Sequence, residues 1–117
     1  QALEIRRQVL GEQHPDFAQS LNNLAALYSS TGRYEQAEPL FRQALEINRQ
    51  VLGEQHPDFA ISLNSLALLY HSTGRYEQAE PLVRQALEAF RSALGPDHPQ
   101  TKIVQGNYDE VRKKLPV

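Results

Sequence analysis

Apolar and polar positions along the chain follow a 3.6-residue rhythm that is broken at regular intervals. From Pro15 to Ser30 the apolar residues Phe17, Leu21, Leu24, Ala25 and Tyr28 form one stripe, the pattern of an amphipathic helix. Pro15 suits the first helical turn, where a missing N–H costs nothing and φ is preset. Asp16 then places negative charge at the positive end of the helix dipole. Thr31-Gly32 stops the run, glycine being the usual residue at a left-handed helix terminus. A second stripe of Ala37, Phe41, Ala44, Leu45 and Val51 predicts a helix over 34–52 that closes at Gly53. Pro39 is its one misfit, since it forfeits the bond to the Glu35 carbonyl; early in the helix it predicts a slight bend rather than a break. Continued along the chain, the pattern predicts helices over about 1–10, 15–30, 34–52, 57–72, 76–94 and 99–115. No segment alternates with period two, so strands are not expected.

The rhythm itself repeats. Residues 2–43 and 44–85 align without a gap at a period of 42 and differ at six positions: Arg6/Asn48, Gln19/Ile61, Asn23/Ser65, Ala26/Leu68, Ser29/His71 and Phe41/Val83. A third copy begins at Ala86, keeps Leu94-Gly95 and His98-Pro99, and diverges from Gln100 onward. The organisation read from this is one array over 1–117, with a partial leading helix at 1–10, repeats at 15–52 and 57–94, and a capping helix at 99–115. Because the chain opens inside a helical pattern, it is expected to be a segment of something longer. A helix pair can bury its stripe only against its neighbours, so an all-α solenoid of antiparallel helix pairs is expected.

Leu21, Leu24, Ala25, Tyr28, Gly32, Tyr34, Ala37, Phe41 and Ala44 resemble the signature of the tetratricopeptide repeat, and the second copy carries it as Leu63, Leu66, Ala67, Tyr70, Gly74, Tyr76, Ala79, Val83 and Ala86. That family usually repeats every ~34 residues. The 42-residue variety, with Ala-Leu-Glu-Ile, Val-Leu-Gly and His-Pro-Asp, is similar to kinesin light chain repeats and to many bacterial arrays. The resemblance implies a right-handed superhelix that binds proteins or peptides. Members that clamp a C-terminal carboxylate use an Asn after the small residue of the first helix; here that place holds Ala26, Leu68 and Glu110, so no such clamp is expected. In the third copy Gln105 and Asp109 stand where Leu21 and Ala25 stand in the first, which looks like a polar end-cap.

Four of the six differences between copies fall on the first helix. With Leu21 set at 0° and ~100° per residue, Gln19, Asn23, Ala26 and Ser29 lie at roughly 160°, 200°, 140° and 80°. Leu24, Ala25 and Tyr28 stay within about 60° of zero. The array therefore repeats its packing face and varies the opposite one, which in the resembled family lines the concave groove. In the second copy that face carries Ile61, Ser65, Leu68 and His71, with Ile61 and Leu68 forming an apolar ridge suited to an anchoring side chain. Asn22 and Asn64 do not vary and lie at its edge, offering a donor and an acceptor to an extended peptide backbone. The candidate peptide-binding residues are thus Gln19, Asn22, Asn23, Ala26, Ile61, Asn64, Ser65, Leu68 and His71.

Composition narrows the alternatives. Among the 117 residues, 40% are hydrophobic and 22% charged, too apolar for disorder, and no apolar run approaches the ~20 residues of a membrane span. A net charge of −2 does not suit a protein that neutralises phosphates, so no nucleic-acid or membrane partner is expected. Cysteine is absent, which removes disulfides and thiol chemistry and makes the cytoplasm the simplest location. His14, His56 and His98 occupy equivalent places about a helix diameter apart, too far to share a metal ion, and start helices rather than ligate. His14-Pro15-Asp16 also occurs in J-domains, but its recurrence as His56-Pro57-Asp58 marks a helix start. Glu35, Glu38 and Glu46 lie on helix exteriors, and no Gly-rich loop or nucleophile elbow is present, so neither catalysis nor a cofactor is expected. Arg112, Lys113 and Lys114 fall in the last turns of the last helix, where cations complement the dipole. Two functions remain: a module holding a peptide or protein segment in its groove, and a spacer or scaffold that self-associates weakly end to end.

Overall fold

The computed structural model describes residues 15–116. Within them lie five helices: α1 (Pro15–Ser30), α2 (Tyr34–Leu52), α3 (Pro57–Ser72), α4 (Tyr76–Leu94) and α5 (Pro99–Lys114). Among the described residues there is no strand. The expected helix over 1–10 and His14 lie outside the described residues. The described residues form two compact units, 15–53 and 54–116.

The punctuation works as read. His56 and His98 cap α3 and α5, their Nδ1 atoms accepting from the backbone N–H of Asp58 at 3.0 Å and of Gln100 at 3.1 Å, with proline in the first turn of each. Each of these helices thus starts with one orphan N–H satisfied and another removed. The first helix of each copy ends in a Schellman motif. Gly32 and Gly74 adopt φ +79° and +77°, and Arg33 and Arg75 donate back to Tyr28 and Tyr70 at 2.8 Å. Within each unit the chain reverses in three residues, which sets α1 against α2 and α3 against α4 in antiparallel pairs. Pro39 and Pro81 lie within unbroken helices, near their N-terminal ends.

In the first unit α1 packs along α2, with Phe17, Ala18 and Leu21 buried against Ala44 and Ile47 and Leu40 alongside. Ala37 and Ala44, both with no exposed surface, let the two axes approach closely. In the second unit α3 packs along α4 and α5 also lies on α4. Its core joins Phe59, Leu63, Leu66 and Tyr70 to Val83, Leu87 and Phe90, and α5 adds Thr101, Val104 and Val111. Polar ties hold α5 in place: Thr101 donates to the Phe90 carbonyl at 3.4 Å, Arg91 to Gln105 at 2.5 Å, and Arg112 lies 4.0 Å from Glu80.

Three details differ from the sequence reading. Val51, placed in the apolar stripe of the second helix, is 46% exposed, because it falls in the last turn of α2, beyond the buried Ile47 and Asn48. Leu24 and Tyr28 are half-buried, whereas their copies Leu66 and Tyr70 are fully buried. The last helix ends at Lys114, and Leu115 is extended.

Candidate functional site

The variable face behaves differently in the two units. In the first, Gln19, Asn23 and Ala26 are exposed, and Gln19 donates to Asn23 at 3.0 Å, so this surface is small and polar. Ser29 is half-buried beside them. Asn22 is half-buried as well, and its Oδ1 is buried without a hydrogen-bond partner. In the second unit Ile61 and Leu68 are 40% and 45% exposed, the ridge anticipated from their seven-residue spacing. Ser65 is half-buried next to them.

Beside Leu68 the second unit encloses an open-mouthed hollow of ≈80 Å³. α3 contributes Asn64, Ala67, Leu68 and His71 to its wall; α4 contributes Val83; α5 contributes Asn107, Glu110 and Val111. An engineered apolar cavity of about 150 Å³ admits benzene, so a hollow half that size suits a short side chain rather than a cofactor. Three of the nine residues put forward from the sequence meet here: Asn64, Leu68 and His71. Ile61 and Ser65 stay on the same helix outside the wall, and the four residues of the first unit do not take part.

Asn64 Oδ1 accepts from Asn107 Nδ2 at 3.3 Å, tying α3 to α5. His71 sets its ring edge against Tyr76, with centroids 5.3 Å apart at 73°, which fixes the imidazole plane. Its Nε2 is buried and has no hydrogen-bond partner. Glu110 is the one charged residue of the wall; it pairs with Lys113 at 3.5 Å, both side chains being more than half exposed, so the pair adds little stability.

Sequence reading missed Ala67, Val83, Asn107, Glu110 and Val111. One signal was available: Val83 is among the six differences between copies, opposite Phe41, and exchanging benzyl for isopropyl in the packed face of α4 leaves space at this point. With Leu68 and His71 it makes three of the six differences that line one hollow. Among the described residues no three histidines, aspartates or glutamates gather where a metal ion could be held, and His56 and His98 use Nδ1 as helix caps. No described helix is long and apolar enough to cross a membrane.

The family model described as Tetratricopeptide repeat matches residues 1–50, 16–92 and 58–108. No curated protein sequence matches the chain. Two solved structures of a kinesin light chain candidate from Podosopora anserina, with nearly identical TPR-like repeats, superpose with TM-score 0.88 at 25% identity over 96% of this chain and 53% of theirs; the second is a point variant of the first. BtubC (BKLC) from P. vanneervenii superposes with TM-score 0.78 at 26% identity over 97% of this chain and 50% of that one. The chain therefore spans about half the length of the solved structures it matches.

Proposed function

This chain belongs to the tetratricopeptide repeat family, and from that premise we propose that it binds a segment of a partner protein along the variable face of α3, with one side chain of that segment seated in the hollow between α3 and α5. Such repeats are generally interaction or scaffold modules and typically non-catalytic. The observation that carries the reading is the meeting of Leu68, His71 and Val83, all different from the first copy, around one apolar hollow. Ile61 continues the apolar surface along α3 and supplies a second contact for an extended or helical ligand. Gln19, Asn22, Asn23 and Ala26 give the first unit a small polar surface without an apolar anchor point. Binding is an equilibrium without cofactor or covalent step, and we place it in the cytoplasm.

The rival reading, end-to-end assembly, meets an obstacle at α5. The face of α5 that corresponds to the buried stripe of α1 and α3 carries Thr101, Lys102, Gln105, Tyr108, Asp109 and Arg112, of which only Thr101 is buried. A surface of that kind does not seal against another apolar helix.

Selection of a random-peptide library on this chain, run beside the Ile61→Glu/Leu68→Glu double variant, tests the proposal. Peptides enriched by the parent and lost by the variant support it. A folded helical sample that enriches nothing, or enriches the same peptides in both, overturns it.

A further inference from the structure

Resting on the groove reading, we propose that the partner segment is an amphipathic helix lying in the trough between α3 and α5. One aliphatic residue enters the hollow, a second seven positions away meets Ile61 and Ile103, and a lysine or arginine faces Glu110. α4 returns from α3 after three residues and α5 from α4 after four, so α3 and α5 run in the same direction as two walls, tied by Asn64 and Asn107. Ile103 is 57% exposed and stands 42 residues after Ile61, on a helix that begins in the same way with a histidine cap and a proline. The two isoleucines therefore mark one level of the trough. Leu68 and the hollow mark another, seven residues further along α3, which is about 10.5 Å at ~1.5 Å per residue.

A helical ligand matches that spacing, because its own residues seven apart recur on one face at the same distance. Between the two levels the trough offers the polar side chains of Asn64, Ser65 and Asn107, and the two asparagines spend an amide atom each on one another. An extended segment brings a backbone N–H and C=O at every residue and finds few partners there, whereas a helix satisfies its own. Gly106, exposed between Ile103 and Glu110 on α5, keeps that wall low. Glycine inside a helix costs stability, and nothing within the unit asks for it: its φ is not positive, and a new Cβ would meet no atom within 4 Å. A missing side chain at that place lets a second helix approach closely. Glu110 supplies the charge to be complemented. It lines the hollow, its side chain is 58% exposed, and its contact with Lys113 at 3.5 Å is a loose surface pair that a ligand cation can share.

The library selection above, run with random peptides of about 16 residues so that a helix can form, tests the inference. Enriched peptides are expected to carry aliphatic residues seven positions apart and a lysine or arginine within one turn of one of them. In a synthesised peptide from the selection, proline midway between the aliphatic pair should weaken binding at least about tenfold, and alanine there about twofold or less. Ile103→Glu and Gly106→Gln, both at exposed positions, should each weaken it about tenfold while circular dichroism shows the chain folded. Glu110→Lys should weaken it about threefold and favour the same peptide with glutamate in place of its cation. Tolerated proline, aliphatic residues at other spacings, or an affinity unmoved by Ile103→Glu, Gly106→Gln or Glu110→Lys overturn the helix and leave the groove reading standing. Enrichment that survives Ile61→Glu/Leu68→Glu, or no enrichment on a folded sample, removes both together.

Discussion

Val83→Phe restores to the second copy the residue that the first copy carries, and it separates folding from binding. Val83 is 1% exposed, lines the hollow, and has on its own helix the same small neighbours, Ala79 and Ala86, that flank Phe41 as Ala37 and Ala44. Adding bulk to a well-packed core costs about 1–3 kcal/mol. Here a hollow of ≈80 Å³ receives the ring, and filling all of it at about 24 cal/mol per Å³ would return at most about 2 kcal/mol. The two effects nearly cancel, so the thermal midpoint followed by circular dichroism should move by only a few degrees. Phe41, 4% exposed in the first unit, is the natural precedent that the helix pair accommodates this ring.

Binding responds differently. Burying a valine- to leucine-sized side chain contributes roughly 1.5–3 kcal/mol, and a ring in the hollow removes that contribution. At about 1.4 kcal/mol per decade, the dissociation constant of a library-selected peptide should rise roughly tenfold to a hundredfold by fluorescence polarisation. A folded Val83→Phe chain that binds within about twofold of the parent would refute the assignment of the anchor to this hollow. A loss of stability well beyond about 3 kcal/mol would show that no space is present to receive the ring.

Four smaller perturbations test the elements that position the site. His98→Ala removes the acceptor for the Gln100 N–H and should cost about 1 kcal/mol in thermal unfolding, with His98→Asn recovering most of it; equal stability of parent and alanine variant would discount the cap. Gly74→Ala and Gly106→Ala should have opposite signs in the same measurement. Both positions have open space around a new Cβ, but only Gly74 sits at φ +77°, so alanine costs about 1 kcal/mol there and gains about 0.5–1 kcal/mol in the interior of α5. On α2 the Arg49 side chain, hydrogen-bonded to Glu46, holds that carboxyl below its ordinary value of 4.5, with Gln50 adding a bond at 2.8 Å. A depressed acid contributes above its unfolded value and loses that contribution as pH falls through the folded one. An NMR titration of Glu46 should therefore give a midpoint below 4.5 that moves up in Arg49→Ala, and an unchanged midpoint would contradict the pairing. Gln105→Leu/Asp109→Ala, which copies Leu63 and Ala67 onto α5, should make mass rise with concentration relative to the parent; no change would mean that these residues do not keep the end soluble.

The helices were legible because their ends are marked by residues with one physical role each. Proline in a first turn, a histidine before it and glycine at positive φ bound α3 to within a residue, and the same marks recur along the chain. The variable face was legible because a period of 3.6 assigns angles without reference to anything outside the helix. The hollow was not, since its walls come from three helices and the last of them has diverged from the repeat. Angles on α3 put Leu68 and His71 on one face, and both line the hollow, but angles could not reveal that Asn107 would donate to the Asn64 oxygen. They also counted Val51 as apolar stripe, where position in the last turn of α2 leaves it 46% exposed.

Near-identity of the copies makes their differences unusually informative. Drift in a duplicated array is tolerated where a side chain meets only solvent. Phe41/Val83 is not such a place. Both residues are almost completely buried, and trading a buried ring for a smaller aliphatic group sacrifices packing unless something refills the space. In this chain the space is left open to the surface, beside a leucine and a histidine that are also new to the second copy. The repeated positions hold the helix pairs together, and in the function proposed for this chain three of the positions that differ shape the hollow that receives the anchor.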